Sequence, residues 1–124
     1  MAKLHLTKCE LEVMDVVWRK GRATVQEVVD SLERPLAYTT VMTTLKILDE
    51  TRGAVRRMKE GRAYVYEPTI SREKISRSMA ADLTQRLFGG SVKSLVLSLV
   101  ENNSMSQSDI EELKQAIHSL EKDA

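Results

Sequence analysis

Apolar residues recur at helical spacing in successive blocks of this chain, and each block is bracketed by residues that start or stop helices. Thr7-Lys8-Cys9-Glu10 has the S/T-x-x-E form of a capping box, in which hydroxyl and carboxylate satisfy the free amides of a helix start. Leu6 and Leu11 stand where a hydrophobic staple closes such a box. Leu11, Met14, Val17 and Trp18 then share one helical face, and Gly21 stops the segment. Thr24-Val25-Gln26-Glu27 repeats the box. Val25, Val28, Val29 and Leu32 follow it in the i, i+3, i+4, i+7 pattern of a second helix of about ten residues, ended by Pro35. A third helix is predicted from about Tyr38 to Thr51, with Tyr38, Val41, Leu45 and Leu48 as its apolar stripe and Gly53 after its end.

The period then changes. Ala54 to Met58 and Ala63 to Glu67 read as two strands around the turn Lys59-Glu60-Gly61-Arg62, with glycine where a positive φ is needed. After Pro68, Ser71 can cap a helix over about 72–88 in which Ile75, Met79, Leu83 and Leu87 recur every four residues. Gly89-Gly90 breaks it. Leu95, Val96, Leu97, Leu99 and Val100 make the next short helix apolar on several sides, and Ser108-Asp109-Ile110-Glu111 reads as a third capping box. The last helix carries Ile110, Leu113, Ile117 and Leu120 on one face.

These elements predict a mostly α fold with one small β-hairpin: a winged helix-turn-helix over residues 1–71, followed by a C-terminal helical dimerisation arm over 72–124. Three helices of this length cannot easily bury an all-round apolar segment alone, so a second copy is expected to cover it. The expected dimer contacts are Met79, Leu83, Leu87, Leu95, Val96, Leu97, Leu99, Val100, Leu113 and Ile117. Packing of the arm back on the N-terminal domain is the alternative.

Composition agrees with this class. In 124 residues the aromatic share is 4%, so a core has to come from aliphatic side chains and six methionines, which favours helices over a sandwich or barrel. No apolar run approaches the roughly 18 residues of a membrane span, and the N-terminus lacks a signal-peptide pattern, so a cytoplasmic protein is expected. The single cysteine, Cys9, forms no internal disulfide and reads as a half-buried packing residue. The net charge of +1 conceals a gradient: residues 1–72 carry 13 Lys/Arg against 10 Asp/Glu, and residues 73–124 carry 6 against 8.

The candidate chemistry lies in the more basic half. Opposite the apolar stripe, the third helix presents Thr39, Thr40, Met42, Thr43, Lys46 and Glu50, where a solubility face would be charged. Threonine is a mediocre helix former with a stiff χ1, so four threonines in six positions, Thr39, Thr40, Thr43 and Thr44, need something outside the fold to select them. Their hydroxyls can bond base edges or phosphates, and their methyls, like those of methionine, can meet thymine methyl groups. The hairpin brings Arg56, Arg57, Lys59 and Arg62 alongside, as phosphate contacts. Double-stranded DNA is therefore the expected partner. A nonspecific nucleic-acid binder and a protein interaction module that has lost DNA binding are the rival readings.

Catalysis finds no foothold. His5 and His118 lie at opposite ends, Cys9 has no histidine within helical reach, and there is no nucleophile elbow, phosphate loop or HExxH. One cysteine excludes a cysteine-built metal site, and no cofactor is expected.

Four segments together resemble the BlaI/MecI penicillinase-repressor family of bacterial winged-helix regulators: Leu11-Glu12-Val13-Met14-Asp15-Val16-Val17-Trp18, Ala37-Tyr38-Thr39-Thr40-Val41-Met42-Thr43-Thr44-Leu45, Gly61-Arg62-Ala63-Tyr64-Val65-Tyr66, and Gly89-Gly90-Ser91-Val92-Lys93-Ser94-Leu95-Val96-Leu97. The resemblance spans essentially the whole chain. It implies a dimeric repressor that binds palindromic promoter DNA, with Thr39, Thr40, Met42 and Thr43 at the family's base-reading and phosphate positions and Lys46 along the backbone. It also implies a membrane metalloprotease sensor as a partner, which triggers cleavage of an Asn–Phe bond in characterised members. The corresponding pair here is Ser98-Leu99, a departure at the cleavage point. The lack of clustered cysteines separates the chain from the family's copper-sensing branch.

Overall fold

A computed structural model describes residues 5–123. Its elements are α1 (Lys8–Lys20), α2 (Val25–Ser31), α3 (Tyr38–Glu50), β1 (Val55–Glu60), β2 (Ala63–Pro68), α4 (Arg72–Phe88), α5 (Val92–Asn102) and α6 (Gln107–Asp123). Mostly helical with one antiparallel hairpin, the chain has the expected fold class. Both N-terminal capping boxes form as the sequence predicts: Thr7 Oγ1 accepts from the Glu10 amide at 3.2 Å, and Thr24 Oγ1 accepts from the Glu27 amide at 3.1 Å. Gly21, at φ 80°, turns the chain out of α1 while its amide donates to the Val17 carbonyl at 2.8 Å.

The chain divides into two compact units at a point inside α4, between Asp82 and Leu83. In the first unit α1, α2 and α3 enclose a core built from Val13, Met14, Val17, Val28, Val41, Leu45 and Leu48, all withdrawn from solvent. Complete burial of such side chains contributes about 1.5–3 kcal/mol each. Ile75 of α4 joins this core, and Met79 packs against it. Met79, assigned to a dimer contact by its spacing, is therefore already engaged within its own chain. Trp18 half-covers the same core and donates its Nε1–H to the Ile70 carbonyl at 2.9 Å, while Arg72 lies over its ring. Arg72 also reaches Asp15, and this bond, with a further one from Arg19, holds the Asp15 carboxyl below its usual range.

Strands β1 and β2 pair from Val55–Pro68 to Glu60–Ala63, leaving only Gly61 and Arg62 in the turn. The strands are thus longer and the turn tighter than their sequence suggests, and Lys59 belongs to the ladder opposite Tyr64. Gly61 has φ 64° while no other residue type takes a positive φ among the described residues, which fits the first central position of a type II′ turn. A reciprocal bridge ties the hairpin to the helices: Ala23 N–H donates to Tyr66 O at 2.9 Å, and Tyr66 N–H to Ala23 O at 2.8 Å.

Three further expectations shift. Helix α2 spans 7 residues rather than about ten, because Leu32 already has extended backbone ahead of the Pro35 turn. Helix α6 begins earlier than Ser108: Ser106 Oγ accepts from the Asp109 amide at 3.0 Å, so Ser106-Gln107-Ser108-Asp109 supplies the cap from the same residue types in a different frame. Tyr38, placed by periodicity on the core stripe, is 48% exposed, and Thr44 completes the buried stripe instead.

In the second unit, Ser91 caps α5 by accepting from the Ser94 amide at 3.1 Å. Helix α5 contains no buried residue: Val96, Leu97, Leu99 and Val100 are all exposed, and so are Leu83, Leu87, Leu113 and Ile117 on the neighbouring helices. Leu95 is half-buried.

A part-buried ion pair follows the C-terminus of α3. Glu10 is buried, and its Oε1 accepts from Arg52 Nε at 2.9 Å, whereas the Arg34–Glu12 pair on the surface is open to water. Removing one partner strands the other charge away from water. Arg52→Ala should lower stability by about 2–3 kcal/mol, and Arg34→Ala should leave the midpoint nearly unchanged, in urea unfolding monitored through Trp18. Equal shifts of the two midpoints would contradict the distinction.

Candidate nucleic-acid interface

Burial of Val41, Thr44, Leu45 and Leu48 fixes how α3 is rotated about its axis. Thr39, Thr40, Met42, Thr43 and Lys46 consequently face solvent, as the sequence predicts. Thr44 does not belong with them: it is 7% exposed, its Oγ1 donates to the Thr40 carbonyl at 2.8 Å, and the Cys9 sulfur lies 3.5 Å away. The fold itself selects this fourth threonine, since a hydroxyl that bonds back to its own helix can be buried without a cost in unmet hydrogen bonds.

Between α3, the start of α2 and the inner face of the hairpin runs an open groove of about 770 Å³. Met42, Thr43 and Lys46 form one wall, Arg57, Arg62, Tyr64 and Tyr66 the other, and Thr24 and Gln26 lie at the α2 end. Thr39 and Thr40 are exposed on the helix but stand outside the groove wall. Tyr38, Thr24 and Gln26 also line the groove, although the sequence places Tyr38 on the apolar stripe and Thr24 and Gln26 in a capping box. Tyr38 was hidden by its fit to the apolar period, and nothing in the local pattern marks the other two as groove residues.

Strand register sorts the basic residues of the hairpin. Cross-strand partners point to the same face, so Arg57 and Lys59 share a face with Tyr66 and Tyr64, while Arg56 shares the other with Glu67. Arg57 lies over the Tyr64 ring at 4.3 Å, which holds its planar guanidinium against the groove. Arg56 instead pairs with Glu67, and Arg22 with Glu60. Of the four expected phosphate contacts, Arg56 differs in having a carboxylate partner and in lying on the face opposite Arg57 and Lys59. Lys46, Arg57, Lys59 and Arg62 enter no ion pair among the described residues.

Burial of Tyr66 pushes its phenol above the ordinary value, against the opposing effect of Arg57 close by. Tyr66 thus stays neutral, and positive charge in the groove comes from Lys46, Arg57 and Arg62. Asp49 and Glu50 occupy the far end of the same wall, so the attraction for an anion is concentrated toward the start of α3 and the hairpin tip. Among the described residues no three His, Cys, Asp or Glu side chains gather in a way that could hold a metal ion.

An exposed hydroxyl-bearing helix beside a cationic ribbon suits a polyanion that also carries groups to be read. Comparison with known proteins points the same way. The penicillinase repressor family profile matches residues 6–119. The penicillinase repressor of Bacillus licheniformis is 32% identical over 115 residues, covering 91% of this chain and 89% of that one. The transcriptional regulator BlaI of Mycobacterium tuberculosis is 35% identical over 126 residues, covering 98% and 89%. Among solved structures, the DNA-binding domain of the repressor BlaI matches 57% of this chain and 88% of its own, with a TM-score of 0.51 and 33% identity.

Proposed function

The chain belongs to the penicillinase repressor family, whose members are transcriptional repressors and not enzymes, and we propose from that premise that two copies of it bind a palindromic operator. The observation that carries this reading is the outward face of α3 beside the groove. Thr39, Thr40, Met42 and Thr43 would enter the major groove, Lys46 would run along the backbone, and Arg57, Lys59 and Arg62 would meet phosphates from the hairpin. Threonine makes weaker individual base contacts than arginine or asparagine, so two half-sites about 34–36 Å apart are needed for specificity. The exposed apolar side chains of α4, α5 and α6 supply the surface through which the copies would join, since a contiguous apolar patch is costly to leave in water.

A membrane metalloprotease sensor is the partner that would relieve repression. Cleavage between Ser98 and Leu99 has a structural requirement. Both residues lie inside α5, where Asn102 Nδ2 donates to the Ser98 carbonyl and Asn103 Nδ2 to the Leu99 carbonyl, each at 2.7 Å. A protease reaches such a bond only after the helix opens locally, so these two asparagines oppose cutting. A cytoplasmic location fits the proposed role, and no helix among the described residues is long and apolar enough to cross a membrane.

Selection of bound fragments from the organism's own genomic DNA identifies the operator, against which variants are then titrated. Thr43→Ala should weaken operator binding by about 1–3 kcal/mol while leaving random duplex unchanged. An equal loss on both would reject base reading and favour nonspecific binding. Arg57→Ala and Arg62→Ala should each reduce the salt dependence by about one phosphate contact on either DNA. Arg56→Ala should leave that slope intact, and a slope that falls for Arg56→Ala alone would contradict the division of the hairpin into two faces. For the arm, Leu97→Asp should yield monomers in sedimentation, because it sets a charge in an apolar contact. A persisting dimer would remove Leu97 from the interface.

A further inference from the structure

The first two turns of α3 lack every side chain that reads a base by paired hydrogen bonds. In the major groove arginine or lysine reads guanine, asparagine or glutamine reads adenine, and an acidic side chain accepts from cytosine. Tyr38, Thr39, Thr40, Met42 and Thr43 include none of these, and Lys46 comes only in the third turn. What they present is carbon. Met42 is 46% exposed and lines the groove together with Thr43, while Thr39, about one turn before it, is exposed beside the groove. Nearly half of the Met42 side chain stays in solvent, although the core beside it absorbs Met14 completely.

We propose that Met42, flanked by Thr39 and Thr43, reads the C5 methyl group of a pyrimidine in the operator. In unmodified DNA that pyrimidine is thymine, the only base with an apolar group at the major-groove edge. This deepens the operator reading and rests on it. Methionine suits the task because its unbranched, polarisable side chain adapts to a small apolar knob without imposing a fixed geometry. Contact through carbon also explains how a helix without a bidentate reader discriminates. The methyl group distinguishes thymine from cytosine on one strand, and the threonine hydroxyls remain available for phosphate or for a neighbouring base edge. A reader of the methyl alone has a further property: 5-methylcytosine satisfies it as thymine does.

The experiment uses the full chain and the selected operator, with thymine replaced by deoxyuridine one position at a time in both half-sites. At the position that responds, cytosine is then compared with 5-methylcytosine, so that each pair of duplexes differs by one methyl group. Loss of the methyl should weaken binding about fourfold in each half-site, the worth of one buried carbon. 5-Methylcytosine should bind tighter than cytosine by a similar factor. Met42→Ala should bind thymine and deoxyuridine duplexes equally, while Met42→Leu keeps the response. Tolerance of deoxyuridine at every position, in an operator still preferred over random duplex, overturns the proposal and leaves operator binding standing. A full response retained by Met42→Ala also overturns it. Failure of the unmodified operator to outcompete random DNA overturns the operator reading, and the methyl reading with it.

Discussion

Burial of one face of α3 is the constraint on which the candidate interface depends. Val41, Leu45 and Leu48 lie wholly inside the first unit, and once that stripe is buried the helix cannot rotate without exposing it. Everything proposed for the opposite face follows from this locking. Thr44 shows how sharp the boundary is. It is adjacent to Thr43 in sequence and identical in chemistry, yet it lies inside, bonded to the Thr40 carbonyl. The Cys9 contact with Thr44 and the Glu10–Arg52 pair connect the middle of α3 and the segment just after its C-terminus to α1. The reading face is thereby carried by a rigid element rather than a loop.

The hairpin obeys an equivalent rule through register. A two-residue turn fixes which residues stand opposite one another, and the side-chain period of 2 then decides which cations face α3. Arg57 falls on the inner face, where Tyr64 holds its guanidinium, and Arg56 on the outer, where Glu67 takes it. Two adjacent arginines of identical chemistry thus receive different roles from a geometry in which a slip of one residue would exchange them. The Ala23–Tyr66 bridge transmits this choice to the helices, since it holds β2 at a set position against the segment that leads into α2.

Energetically the two units are unlike. The first has a fully buried aliphatic core, while the second leaves leucines and valines of α5 half in water. For a chain of this size such exposure lowers stability unless another surface covers it. In the proposed dimer, affinity for a two-part site and burial of the arm are linked, because the contact that would protect the apolar residues would also bring the second α3. A repressor built in this way is weakened by anything that opens α5, and the Asn102 and Asn103 side-chain bonds to the helix carbonyls act against such opening.

Most of the fold was legible in the sequence because its signals are local. The two threonine boxes, the four-residue spacing in α4 and the glycine at the hairpin turn each depend on a few neighbouring residues, and each element formed where its signals stood. The outward threonines of α3 were legible for the same reason. Local signals failed where two frames or two environments satisfied the same pattern: Ser106 and Ser108 both fit a cap, and Tyr38 fits the apolar period but opens into the groove. What the sequence by itself determined is therefore the kind of protein, a winged helix with an apolar helical arm, since periodicity and capping are properties of contiguous residues. Only the tertiary structure decided that Thr44 lies inside, that Arg57 and not Arg56 faces the groove, that Met79 packs against the core, and that Met42 is left half-exposed on the wall. Each of these depends on what another segment brings alongside, and that is a relation between distant positions which no local pattern records.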